Sequence, residues 1–389
     1  MAITDKEEGV WGLDQVYNKI NEGDIWSYAG FDSHSLYAWG RGHYGNIANN
    51  LGGVAANRSS PAQIPGSWSV LVDGSQGHFM LGIKNDNTLW SWGGGDNGEL
   101  GISNNNRRSS PVQIPGNTWD QVTGGERIVN ARKTDGTMWT WGQGSEGKTG
   151  HNNQTSLSSP KQIPGTDWAH VSCFQTGMHA IKTNGTLWTW GENGYGAGGT
   201  QLPSRSSPIQ VGTDKTWSKI TGAWFGTFAV KTDGTLWAWG ENEYGQTGNN
   251  KISGGPGGVS SPMQIPGTWD TTDFGRTGGR SSGYIIDSNG NLFAMGNNGD
   301  GQLGLNNKTN RSSPTQVPGS WKAVRGCHDS VAAIKTDGTL WAWGNNQWGE
   351  IGNGPSGNSS RSSPMQIGTA TNWGIIGNST ETFMAGRTA

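Results

Sequence analysis

Apolar positions in this chain fall in short runs, and the runs repeat. Residues 217–265 show the unit. Trp217 to Ile220 is one short apolar piece and Thr227 to Thr232 a second; Leu236 to Trp239 is a third and Pro262 to Ile265 a fourth. Successive side chains on a strand point to opposite faces, so Trp237 and Trp239 share one face and Leu236 and Ala238 the other. Asp233-Gly234, set between two such runs, predicts a β-hairpin with a type I′ turn, in which both central residues take positive φ. Pro262 suits the start of a strand, where no ladder N–H is required.

Three markers keep phase with this unit. Trp-Gly or its equivalent falls at Trp39, Trp92, Trp141, Trp190, Trp239, Met295 and Trp343, in steps of 48 to 56 residues. Ser-Ser-Pro starts at positions 59, 109, 158, 206, 260, 312 and 362. A lone tryptophan follows each time: Trp68, Trp119, Trp168, Trp217, Trp269, Trp321 and Trp373. Four strands per ~50 residues, repeated, is the pattern of a β-propeller blade. The expected fold is therefore all-β: a seven-bladed propeller of four-stranded antiparallel blades, one domain over residues 26–389. The tryptophans are read as inter-blade packing, each able to bury roughly 150–250 Å². Trp373 to Ile376 is a spare first strand, so the two ends of the chain are expected to close the ring in blade one. Two stretches, Tyr28-Ala29 and Phe383 to Ala385, compete for the second strand there. Residues 1–25 form a separate N-terminal segment. Leu13, Val16, Tyr17 and Ile20 have helical spacing within it and predict a short helix.

Composition narrows the class. The chain has 389 residues, with 67 Gly, 22 Trp, 14% charged residues and a formal net charge of −2. So many aromatics argue against disorder, and the charge balance argues against a nucleic-acid partner. Cys173 and Cys327 lack metal-ligand spacing and read as buried free thiols. No apolar run is long enough to span a membrane, and Met1 to Gly9 lacks the apolar core of a secretion signal.

The stretches "DGTLWAWGENEYGQTG" (233–248) and "NGNLFAMGNNGDGQLG" (289–304) resemble the RCC1 repeat, named for the regulator of chromosome condensation. The likeness runs from about residue 26 to 388. It implies a seven-bladed propeller, a fold that hosts exchange factors, a plant photoreceptor, a β-lactamase inhibitor and ubiquitin-ligase modules. The stretch "GVWGLDQVYNKINEGDIW" (9–26) also looks like segments joining modules in structural proteins of marine tailed phages.

No catalytic set emerges. The seven histidines show neither HExxH nor His-x-His spacing, no GxxxxGK[ST] loop is present, and the acidic residues recur in turns instead of pairing. The expectation is no catalytic, cofactor or metal site. Recognition would fall to repeated surface positions. Tyr44, Tyr195, Tyr244 and Trp348 precede a loop glycine, where other copies carry Asn97, Glu146 and Asp300. Arg58, Arg108, Arg205, Arg311 and Arg361 lie before Ser-Ser-Pro, and Lys84, Lys133, Lys182, Lys231 and Lys335 precede the hairpins. Each set forms an incomplete ring that could grip an acidic partner or be used in contacts between blades. The function expected from these features is a non-catalytic interaction or structural protein. It is read as a phage virion component, in a capsid decoration, a tail or a receptor contact, at a particle surface. Its partners would be other virion or surface proteins, or a host glycan or receptor. The alternatives are an exchange-factor-like regulator of a small GTPase and a soluble lectin or inhibitor. Exchange activity in the resembled family relies on added loops, and no such insertion stands out here.

Overall fold

Each repeat lays down four antiparallel strands. In blade three these are Trp119–Gly125, Ile128–Lys133, Met138–Gly142 and Leu157–Ile163, hydrogen-bonded in that order. The computed structural model describes residues 34–51, 56–73, 78–224, 226–253, 258–267, 269, 281–352, 360–379 and 382–388. Blades four, five and seven repeat the same order. Blade six shows three described strands, Ser282–Ile286, Leu292–Gly296 and Arg311–Val317. Together they make the seven-bladed ring of an all-β propeller. The expected N-terminal helix, and residues 27–31, lie outside the described residues.

Blade one is assembled from both ends of the chain. Trp373–Ser379 and Thr382–Thr388 supply its first and second strands, His34–Gly40 the third, and the start of Arg58–Asp73 the fourth. The competition for the second position is thereby decided: Phe383 pairs with Trp39 and Ala385 with Tyr37. Arg58–Asp73 runs on unbroken to become the first strand of blade two, which joins two blades into one seven-stranded sheet.

The hairpin turn differs from the sequence expectation. Only Gly234 takes a positive φ, +79°, while Asp233 stays in the negative range. The Gly234 N–H donates to Lys231 O at 3.0 Å, and the Lys231 N–H to Thr235 O at 3.0 Å. This is a type I turn closed by a left-handed glycine, the geometry of the longer hairpin loops. Aspartate is selected by its side chain. Asp233 Oδ1 accepts from the Thr235 N–H (3.0 Å) and hydroxyl (2.7 Å), and Thr235 Oγ1 accepts from Trp237 Nε1 at 2.9 Å. The same hook joins Asp135, Thr137 and Trp139, and Asp337, Thr339 and Trp341.

The two tryptophans of each pair therefore have different jobs. The second is the wedge between blades. Trp239 is fully buried, and its Nε1 donates to Ala197 O of blade four at 2.8 Å. Trp92, Trp141, Trp190 and Trp343 make the equivalent bond to Asn46, Glu99, Lys148 and Gln302. Trp39 bonds Glu350 of blade seven and so closes the ring. The first tryptophan is only half-buried, which corrects the expectation that both rings fill the gap. Beside each wedge, a loop glycine meets the first serine of Ser-Ser-Pro in the next blade. A Cβ on Gly245 would overlap Ser312 Cα, and one on Gly349 would overlap Ser59 Cα across the closing junction.

Candidate interaction face

Strand register assigns two faces to the ring. Trp119 pairs with Lys133 and Met138 with Ile163, so the lysines and Asp-Gly hairpins share one face. Gly125 pairs with Ile128, and Gly142 with both Ile128 and Leu157. The turn between first and second strands and the long loop between third and fourth strands thus share the other. First strands of neighbouring blades lie side by side and line the central channel. The first turns surround its mouth.

The candidate aromatics stand on this loop face, and all four are half-buried. Tyr44 stacks on His78 of blade two with centroids 3.8 Å apart, and Arg107 lies 4.9 Å from its ring centroid. Arg107 is itself paired with Asp96 at 2.7 Å. Trp348 lies under Arg41 of blade one, at 5.0 Å. The Tyr244 N–H donates to Gln246 Oε1, and Tyr195 sits beside Gly258. For Tyr44 and Trp348, contact with the next blade is thus part of the role.

The arginines open the fourth strands at the same face. Arg58, Arg108 and Arg311 donate to carbonyls of their own loops: Asn57 O, Arg107 O, and Thr309 and Asn310 O. Arg205 lines a small cleft within blade four, and Arg361 is exposed. The lysines lie on the opposite face, each over a pair of indoles. Lys231 Nζ is 3.9 Å from the centroid of Trp237 and 4.9 Å from that of Trp217. Lys182 and Lys231 are also paired with Asp167 and Asp214. Lys231 and Thr216 hold the Asp214 carboxyl down at about 2.

The first turns carry the least repeated chemistry. The Glu126 N–H donates to Gln175 O at 2.8 Å, and the Gln175 N–H to Trp224 O at 2.9 Å. Gln175 Nε2 reaches Glu126 Oε2 at 3.2 Å. Trp224 meets His328 edge-on, with centroids 5.4 Å apart. His328 Nδ1 pairs with Asp329 Oδ2 at 2.6 Å, and Asp329 Oδ1 accepts from Gln302 Nε2. One chain of contacts thus crosses blades three, four, five and seven and ends on Gln302 of blade six. Arg127 (φ +58°) and His328 (φ +40°) hold left-handed conformations unusual for side chains of their size. Just below, Lys148 and Glu99 are buried at the loop position that follows the aromatic one and its glycine. Burial pushes the Lys148 ammonium down against the pull of Glu126 and Glu192, and pushes the Glu99 carboxyl up. Among the described residues, no three His, Cys, Asp or Glu side chains gather into a metal site.

Residues 86–131, 135–175, 289–333 and 337–376 match the Regulator of chromosome condensation (RCC1) repeat, and residues 220–246 match a second description of the same repeat. Together they cover just over half of the chain. The chain belongs to the RCC1-repeat family. This RCC1-repeat propeller is similar in fold to Prp20p from Saccharomyces cerevisiae, in a structure described with its binding properties to Gsp1p and histones. The TM-score is 0.81 at 17% identity, covering 92% of each chain. It is similar also to human WBSCR16, with a TM-score of 0.77 at 17% identity, covering 92% of this chain and 99% of that one. It is 31% identical over 101 residues to the mouse E3 ubiquitin-protein ligase HERC2, 23% of this chain, and spans 2% of that protein's length.

The mouth residues were not singled out as a site by sequence. "GGERIVN" (124–130) and "GCHDSVA" (326–332) lie outside the three repeating markers. The usable signal was their difference between copies at one fixed turn.

Proposed function

We propose that this chain is a non-catalytic protein-binding platform whose partner seats on the loop face around the channel mouth. The observation that carries this reading is the contrast at that face. The blades beneath are joined by a repeated clamp, yet their first turns present Glu126, Arg127, Trp224, His328 and Asp329, which no repeat rule dictates. Arg127 is exposed and the others half-buried, a mixture of charge and aromatic surface that suits a protein partner.

The finer reading is a regulator of a small GTPase. Family membership and the fold shared with Prp20p, described by its binding to Gsp1p, support it. The particle-surface role expected from residues 9–26 rests on residues outside the described set, and none of the similar proteins favours it.

The test uses the whole purified chain against a panel of GDP-loaded small GTPases, reading both binding and release of a fluorescent nucleotide. Expected is saturable binding to one of them, lost when Arg127→Glu and Asp329→Arg are combined while the unfolding midpoint stays put. No binding across the panel would overturn the GTPase reading. Binding of any captured protein that ignores the mouth variants would overturn the choice of face.

A further inference from the structure

A groove of about 530 Å³ opens at the outer rim between blades six and seven, away from the channel. Leu305, Pro318, Trp341 and Pro364 give it an apolar floor, and Lys335, Gln316 and Ser363 face it with polar groups. Its size lies in the ordinary range for small-ligand sites, as does its make-up of mostly apolar walls with a few polar groups. The Trp341 indole is half-buried, and its Nε1 is taken by Thr339. The amide Nε2 of Gln316 donates to Asn291 Oδ1, and among the described residues no donor reaches its side-chain carbonyl.

The charged group of this groove is Lys335, which like Lys84 and Lys133 lies over two indoles and has no ion-pair partner among the described residues. Its ammonium sits 3.7 Å from the Trp341 ring centroid and 5.3 Å from that of Trp321. The equivalent lysines of blades four and five are neutralised, Lys182 by Asp167 at 3.1 Å and Lys231 by Asp214 at 2.5 Å. In blade seven Ser320 stands before the tryptophan where blade four has Asp167. The carboxylate on the same hairpin, Asp337, is turned to the N–H and hydroxyl of Thr339. Among the described residues Lys335 makes no ion pair. The repeat thus offers a direct internal contrast: the same Lys–Trp–Trp arrangement with and without its anion.

We propose that this groove binds a carboxylate-bearing pyranose of the hexuronic acid class. The sugar carboxylate takes the place that Asp167 fills in blade four, bonded to Lys335 in a charge-assisted contact. The C–H-rich side of the ring lies along the exposed part of Trp341 and Leu305, and its hydroxyls meet the Gln316 carbonyl and Ser363. A neutral sugar would leave the ammonium unanswered, and a bare carboxylate would leave the apolar floor and the hydroxyl partners unused. The site is separate from the channel mouth and does not rest on the GTPase reading.

The test follows the indole N–H resonance of Trp341, assigned with Trp341→Phe, in the full chain. Methyl glucuronide should shift it saturably in the millimolar range. Methyl glucoside and N-acetylglutamate should shift it at least about tenfold more weakly. Lys335→Gln should weaken glucuronide binding about tenfold or more, whereas Lys335→Arg keeps the charge and should bind within a few-fold. Lys182→Gln should leave the titration unchanged. No glucuronide shift would overturn the proposal, as would undiminished binding in Lys335→Gln. An equal response to N-acetylglutamate would overturn the sugar assignment. Should Lys335→Gln fail to fold, the three-ligand comparison on the unmodified chain and on Lys335→Arg still decides.

Discussion

The wedge between blades and the turns at the channel mouth are parts of the same repeat, and they are used in opposite ways. At the wedge, Trp92, Trp141, Trp190, Trp239 and Trp343 are all buried and all donate to one carbonyl of the preceding blade. At the mouth, the corresponding turns read Glu126-Arg127, Gln175-Thr176 and His328-Asp329. Identity at the wedge follows from geometry: every junction presents the same gap and the same unsatisfied carbonyl. At the mouth no such demand exists, because a short turn faces open space on one side. Repetition marks what the ring needs to close, and variation marks where a partner can be read.

The largest expected effect tests that contrast directly. Trp239→Ala removes a fully buried indole and its bond to Ala197, and should cost ~3–5 kcal/mol of stability. Trp224→Ala at the mouth should cost about 1 kcal/mol or less, while altering partner binding. Denaturant midpoints of the two variants measure both. If the two losses were equal, the division between frame and reading surface would fail.

A second test lies inside the wedge. His179 faces blade five with no exposed surface; its Nε2 meets Thr227 Oγ1 at 2.9 Å, and it lies edge-on to Trp239. Burial pushes its imidazole down to about 3 from the usual 6.5. The unfolded chain therefore binds a proton more readily than the folded one throughout that window. Stability is lost as pH falls below 6.5, at about 1.4 kcal/mol per pH unit, or roughly 2 kcal/mol by about pH 5. His179→Phe copies Phe228, the residue at this strand position in blade five, as the pairing of each with the third strand shows. It should leave neutral-pH stability within ~1 kcal/mol and flatten the acid side of the stability profile. An unchanged acid profile would mean that His179 is not the group responsible.

These contrasts also explain how much of the fold is legible in the sequence. The blade count and strand order were legible because a period of two, tied to tryptophan and Ser-Ser-Pro, leaves few other arrangements. The hairpin type is not legible in the sequence, because Asp-Gly serves two turn geometries. What separates them is the Asp233–Thr235–Trp237 hook, a side-chain relay that propensity does not encode. The sequence leaves closure open between Tyr28-Ala29 and Phe383 to Ala385, since both fit one strand pattern and only pairing distinguishes them. For the candidate surface, the position of Tyr44 and Trp348 was legible but not their contacts with His78 and Arg41, which come from the adjoining blade. The charged turns at the mouth have no periodicity to betray them. Their kinship appears only when the ring brings residues 126, 175, 224 and 328 together.

The smallest expected effect asks whether variation can reach into the frame. The residue after the loop glycine is buried, and in blades five and six it is Gln246 and Gln302. Each side-chain carbonyl accepts the N–H two residues back, at 2.9 Å. In blade two the same position is Glu99, whose Oε2 accepts the Asn97 N–H at 2.7 Å. Burial there pushes the carboxyl above its usual range, against the two backbone N–H groups that hold it down. A raised folded-state pKa means that the burden is absent at low pH, where both states are protonated, and appears as pH rises through the ordinary carboxyl range. Glu99→Gln keeps the acceptor and removes the charge. It should stabilise the protein by ~1 kcal/mol at neutral pH, with the gain shrinking towards zero as the medium is acidified below that range. The denaturant midpoint as a function of pH measures this. A gain independent of pH would refer the effect to packing instead of charge. A loss would mean that the carboxylate at this junction is held by the ring for the charge it carries towards Arg127 at the mouth.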